Sequence, residues 1–265
     1  VNDNQLSNAE GQPLPVGRGW PEFVKQAFLI TCAIIFYFAV RGVTQGSADV
    51  AIENGFRVLE LEERLALDLE LTAQRLVDDS RIIMTLANWT YIWLHWPVIV
   101  ITLVWLHRTK RYEYLLLRNA MFISGALGLI VFMLFPVAPP RLLDIGFLDT
   151  VTEFSNSYRL LQPPALVNKY AAVPSLHVGW NLLVGIALYR SAPSLRVFAV
   201  ATPIAMATAV VVTGNHYIVD GVAGALLALV SLGIAMMISP TLARHRFDPF
   251  HSEPQVHSSQ SNPTN

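Results

Sequence analysis

The chain of 265 residues is poor in charge and holds one cysteine, and each shortage excludes a class of protein. Asp, Glu, Lys and Arg make up 14% of it, against about 25% in an average globular domain. With 53% hydrophobic residues and a mean hydropathy of +0.45, the composition argues against a soluble domain and for a membrane protein. A basic excess is also missing. Eighteen Lys and Arg stand against nineteen Asp and Glu, a net charge of -1, so nothing in the overall charge favours a nucleic-acid partner. A lone cysteine, Cys32, excludes an intrachain disulfide and a thiol-rich metal site. No short apolar region followed by a small-residue cleavage site opens the chain, so membrane insertion is expected through the spans themselves.

What the chain does have is apolar length. A helix needs about 20 apolar residues to cross a hydrocarbon core, and six stretches qualify: 23–43, 82–106, 115–135, 176–189, 197–213 and 217–238. The fourth is short and is expected to start earlier or below the membrane surface. The predicted fold is an all-α integral membrane protein, a six-transmembrane helical bundle with an extracytoplasmic amphipathic helical segment. Residues 1–22 read as a polar N-terminal segment, 23–238 as the membrane catalytic domain with an insertion at 44–81, and 239–265 as a disordered tail rich in Ser, Pro, Asn and His.

Basic residues beside short loops are retained on the cytoplasmic side. Arg108, Lys110 and Arg111 fall in one such loop, Arg190 and Arg196 in another, and Arg244 and Arg246 after the last span, with Arg18 and Lys25 near the start. Both termini are therefore expected in the cytoplasm, and 44–81, 136–175 and the turn at 214–217 on the outer side. Segment 44–81 alternates acids with Leu, as in Leu59-Glu60-Leu61-Glu62. Ile52, Phe56, Leu59, Ala66, Leu69, Ala73 and Leu76 form a helical stripe, which predicts one or two amphipathic helices on the membrane or on the bundle. Such a segment is either a solvated acidic cover or a substrate gate.

Polar residues in a membrane bundle mark function by default, and here they gather on the outer side. Arg141 follows the third span in Pro139-Pro140-Arg141, Ser175 and His177 open the fourth in Pro174-Ser175-Leu176-His177, and His216 and Asp220 open the sixth. Four residues apart on a helix, Asp220 can hold the Nδ1–H of His216 and stabilise the cation that forms if Nε2 attacks an electrophile. The start of the fourth span offers backbone N–H groups to an anion, and Arg141 a forked set of donors suited to phosphate oxygens. Two His, an Asp, a Ser and an Arg at one membrane depth suggest phosphoryl transfer. Asn88, Tyr91 and His95 share a face of the second span and read as interhelical hydrogen-bonding groups. Trp89, Trp93, Trp96 and Trp105 read as interface and lipid contacts.

These motifs resemble the type-2 phosphatidic acid phosphatase superfamily, and within it the inositolphosphotransferase branch that includes inositol phosphorylceramide synthases. Its second motif, Pro-Ser-Gly-His, is matched by Pro174-Ser175-Leu176-His177, and its third by His216 to Asp220. The Leu in place of Gly, the Pro139-Pro140-Arg141 order and the Asn215-His216-Tyr217 triplet are similar to the branch, and the likeness extends upstream through Asn88 to His95 and through Glu62, Glu70 and Gln74. The resemblance implies that His216 is the nucleophile that becomes a phosphohistidine, that Asp220 orients it, and that His177 protonates the leaving alcohol. It also implies that Ser175 and Arg141 hold phosphate oxygens, with Asn215 and Tyr217 in supporting places, and that no metal or other cofactor is needed. Two cations of the family pattern are missing, since Val210 and Leu134 stand at their positions. Arg159 and Lys169, in the outer segment before the second motif, are candidates to replace them. Fewer fixed cations suit a phosphodiester, or one transferred phosphoryl group.

The expected activity is cleavage of a lipid phosphate or phosphodiester in the bilayer and transfer of the phosphoryl group to an alcohol or to water. The first alternative is a simple lipid phosphatase acting on phosphatidate-like or polyprenyl phosphates; the second is a non-catalytic transporter or assembly subunit. No oligomeric state follows from the sequence.

Overall fold

The computed structural model describes residues 20–43, 46–150 and 168–238. The expected tail at 239–265, most of the expected polar segment at 1–22, and Arg159 lie outside the described residues. Nine α-helices occur among those described: α1 (Trp20–Val43), α2 (Ala48–Leu65), α3 (Glu70–Arg75), α4 (Arg81–Trp93), α5 (Trp96–Thr109), α6 (Arg111–Leu134), α7 (Leu176–Ser191), α8 (Arg196–Val212) and α9 (Ile218–Ile238). No strand forms among the described residues; Val137 and Ala171 make one isolated parallel bridge.

Four helical stretches are long and apolar enough to cross a membrane: Trp20–Val40, Arg111–Leu134, Pro193–Val212 and Ile218–Ile238. The expected second span is instead two helices, α4 and α5, bent by 43°. Its break has a cause in the sequence. Pro97, in the first turn of α5, has no N–H to donate, and its ring clashes with a carbonyl four residues back, here that of Trp93 at the end of α4. The expected fourth span, α7, has 16 residues, ten of them buried, and packs against α5, α6, α8 and α9. A helix surrounded by helices meets protein rather than lipid, so a full lipid-length run is not demanded of it.

Two ion pairs fix which helix ends lie together. Arg111 Nη2 is 2.8 Å from Glu22 Oε1, and Arg190 Nη2 is 2.9 Å from Glu113 Oε1. They join the start of α1, the α5–α6 turn and the end of α7. At the other end, the Ser175 N–H donates to the Asp220 carbonyl at 3.0 Å, bringing together the starts of α7 and α9. Glycine permits this approach: a methyl group on Gly224 would lie 2.1 Å from the Ser175 carbonyl oxygen, and one on Gly179 would lie 2.5 Å from that of Gly224. Small residues let membrane helices meet backbone to backbone in this way.

Within segment 44–81 the expected helices form as α2 and α3, but the inward face only partly follows the expected stripe: Ile52 and Leu59 pack beside the buried Ala51, Val58 and Tyr217, and the rest of that face is small or polar. Ala51, Asn54, Gly55, Val58 and Glu62 are buried on α2, and Glu70 and Gln74 on α3. Phe56, Leu69 and Leu76 are 46%, 55% and 80% exposed. Small and polar residues mark the inward face because α2 approaches backbone closely: the Ala138 N–H donates to the Ala51 carbonyl at 2.9 Å, and a methyl group on Gly55 would lie 2.9 Å from the Tyr217 hydroxyl.

Candidate active site

The site is built on the turn between α8 and α9. Gly214 has φ +66°, a conformation that other residues rarely adopt, and the chain there folds back so that the N–H groups of Asn215 and His216 both donate to the Val210 carbonyl. His216 and Asp220 emerge on one face. Asp220, fully buried, accepts at Oδ2 from His216 Nδ1 at 3.2 Å and from the Tyr217 N–H at 3.0 Å. That contact places the ring proton on Nδ1 and leaves Nε2 with a lone pair.

His177, in the first turn of α7, lies across from it, with ring centroids 5.8 Å apart. Its ring stacks on Tyr91 at 4.5 Å and lies 4.3 Å from that of His95. Asn181, one turn further along α7, donates from Nδ2 to the His177 carbonyl at 2.9 Å, and the same nitrogen is 3.2 Å from His95 Nδ1. An amide nitrogen is a donor, so Nδ1 of His95 accepts. The bend between α4 and α5 is what places His95 here, rather than on the wall of a straight span.

Arg141 is locked to the same turn. Its Nη1 donates to Asn215 Oδ1 at 2.6 Å, its Nε lies 3.3 Å from Asp149 Oδ1, and its backbone N–H donates to the Gly214 carbonyl at 3.1 Å. Asn215 is held in turn by its Nδ2, which donates to Thr213 Oγ1 at 2.8 Å. Arg141, Lys169, His177, Asn215 and His216 line one cleft, with about 50 Å³ of open space, whose walls include Tyr37, Tyr91, His95, Trp96 and Trp180. Beside it an apolar cavity of about 180 Å³ runs between α1, α5 and α6, and Tyr37, Trp96 and Trp180 border both.

The structure thus brings together His216, Asp220, His177, Arg141, Asn215 and Lys169. Ser175 is 0% exposed and does not line the cleft; its Oγ accepts from the Val178 N–H at 3.4 Å and caps α7. Tyr217 is also fully buried, its hydroxyl donating to the Ala138 carbonyl at 2.8 Å. Val210, where the family pattern has a cation, is buried in the core, and Leu134 is 78% exposed. Trp89 and Trp93 are largely exposed, as lipid contacts should be, whereas Trp96 is a wall of the cleft. Asn181 and Asp149 were not anticipated. For Asn181 the signal was there: an amide four residues after His177, in an otherwise apolar helix.

Behind the turn, α2 and α3 supply three more polar groups. Glu70 Oε1 accepts from the Ile218 N–H and Glu62 Oε1 from the Val219 N–H, both at 2.8 Å. Gln74 donates to the carbonyls of Val212 and Leu148, at 3.1 and 3.2 Å, and accepts from the Leu148 N–H at 2.8 Å. Burial pushes the Glu62 carboxyl up to about 9, helped by the neighbouring Glu70 and Asp220 and opposed by the bond from Val219.

A histidine held by a carboxylate, a second histidine facing it, and an arginine beside both share one cleft among the described helices, several of them of membrane length. A family model described as the PAP2 superfamily matches residues 57–234, a stretch that includes all of these groups, and the chain belongs to that superfamily. Its members are generally phosphatases, which supports an enzyme acting on phosphate esters. No curated protein and no solved structure matches the chain.

Proposed function

We propose that the protein is a membrane-embedded enzyme that cleaves a lipid phosphate ester through a phosphohistidine on His216 and passes the phosphoryl group to an alcohol or to water. The observation that carries this reading is the His216–Asp220 pair facing His177 across a cleft that also holds Arg141. Nε2 of His216 attacks phosphorus, the bond from phosphorus to the lipid oxygen breaks, and protonated His177 gives its proton to that oxygen. In the second half His177 takes a proton from the incoming water or alcohol, whose oxygen displaces Nε2. Asp220 keeps the ring proton on Nδ1 and stabilises the imidazolium phosphate. Arg141, Lys169 and the start of α7 supply positive potential for the phosphoryl oxygens, so the chemistry proceeds without metal.

The adjoining apolar cavity favours a lipid over a soluble ester, because a phosphate in the cleft can keep its hydrocarbon tail out of water. The full reading has six spans, α7 completing the set, with both termini in the cytoplasm and the cleft on the outer face. Resemblance to the inositolphosphotransferase branch favours transfer to an alcohol over simple lipid phosphatase activity; a non-catalytic transporter or assembly subunit would show no turnover. The test is incubation of detergent-purified protein with radiolabelled phosphatidate and a panel of lipid phosphodiesters, without metal, scoring free phosphate and new phospholipid. An acid-labile labelled adduct is expected on the wild type and absent from His216→Ala. Product from His216→Ala at the wild-type rate would overturn the mechanism.

A further inference from the structure

The N–H groups of Tyr217, just before α9, and of the first two residues of α9 each meet a different carboxylate: Tyr217 donates to Asp220, Ile218 to Glu70 and Val219 to Glu62. A helix start is ordinarily a place for phosphate. Here the protein's own acids fill it, two of them from 148 and 157 residues away in the chain, so a substrate phosphate is left to Arg141 and the start of α7. Gln74 meanwhile holds the last carbonyl of α8, that of Val212. Segment α2–α3 therefore grips both sides of the turn that carries Asn215 and His216. Glu62 and Glu70 are 0% and 1% exposed, and burying two acids is poor economy if stability is all they serve, since apolar residues of like volume are often as stable.

We propose that Glu62 and Glu70 are positioning residues, whose carboxyl oxygens fix the first turn of α9 and so hold the His216–Asp220 pair in line with the cleft. The proposal rests on the reading of His216 as nucleophile. Neither acid lines the cleft, so each acts on turnover and not on substrate binding. Glu70, Asp220 and the Tyr217 phenol are the titratable groups that face Glu62. Its upward-shifted carboxyl is neutral at pH 7, which makes glutamine a close substitute: the amide oxygen still accepts from Val219.

The experiment compares Glu62→Gln with Glu62→Met, which keeps volume and loses the acceptor, and with Ile218→Pro, which removes the donor to Glu70 at a helix position that tolerates proline. Steady-state release of phosphate from dioleoyl phosphatidate in detergent micelles gives kcat and KM, and hydrogen exchange of the peptide covering 213–219 reports on the turn. Glu62→Gln should stay within about threefold of wild type. Glu62→Met and Ile218→Pro should lose at least about tenfold in kcat with KM within about threefold, and exchange faster. If Glu62→Met is not recovered folded, Ile218→Pro carries the same test. Wild-type kcat and exchange in Met and Pro variants, or equal losses in Gln and Met, would overturn the proposal. Wild-type protein that releases no phosphate would instead defeat the functional reading, while the exchange measurement still decides whether these carboxyls hold the turn.

Discussion

At the scale of single residues, polar groups in this chain divide into those that face the cleft and those that build it. His177, Arg141, Asn215 and His216 face it; Ser175, Tyr217, Glu62 and Glu70 are buried behind it. The first group was legible because charge and imidazole are rare in an apolar chain and need a reason. The roles of the second were not, because an acid in a Leu-Glu alternation looks solvated until its partner, an N–H more than 140 residues away, is known. Burial gives Glu62 a thermodynamic consequence. Its carboxyl moves from an ordinary 4.5 to about 9 on folding, so between these values the folded chain keeps a proton that the unfolded chain releases. Its contribution to stability therefore falls as pH rises from about 4.5 to about 9 and then levels off. Glu62→Gln removes that dependence. The Tm of the variant should gain on the wild type steadily across this window, and stop gaining above it; parallel Tm curves would show that the carboxyl is not held protonated.

At the scale of elements, the boundaries that follow from backbone chemistry were readable and the faces were not. Pro97 foretells the break between α4 and α5, yet the apolar run on both sides of it reads as one span. The inward face of α2 escaped because hydrophobicity does not separate a protein neighbour from a lipid neighbour; Ala51 and Gly55 do, through the closeness they allow. Closeness matters most at the crossing of α7 and α9, where Gly224 lies against the backbone of Ser175. Gly224→Ala must push the two helix starts apart, and forcing a methyl group into a filled contact costs about 1–3 kcal/mol. A lower Tm and a fall in kcat should appear together, since the same shift separates His177 from His216. An unchanged Tm would mean that the two helices are not in contact there.

At the scale of the whole molecule, the chain sorts its charge by end. Lys25, Arg111 and Arg190 belong to the helix ends remote from His216, where acids Glu22 and Glu113 pair with two of them. Loop charges already separate the two ends in the sequence, whereas the grip of α2–α3 was not legible there, because it depends on partners distant in the chain. The proposed orientation has a direct check, because Cys32 is the sole cysteine. In a Cys32→Ser background, Glu60→Cys, exposed on α2, should react with a membrane-impermeant maleimide in intact cells, and Thr109→Cys, exposed at the α5–α6 turn, only after permeabilisation. The reverse pattern would turn the molecule over in the membrane. Tyr37, Trp96 and Trp180 border both the cleft and the apolar cavity, so for the lipid substrate proposed above, head group and tail would not be graded separately. In that proposed complex a tail branched close to its phosphate would have to displace Trp96 or Trp180, which also touch His95, and through it His177. On that proposal, bulk at that point of the substrate would be felt as slow chemistry, and length further out only as affinity.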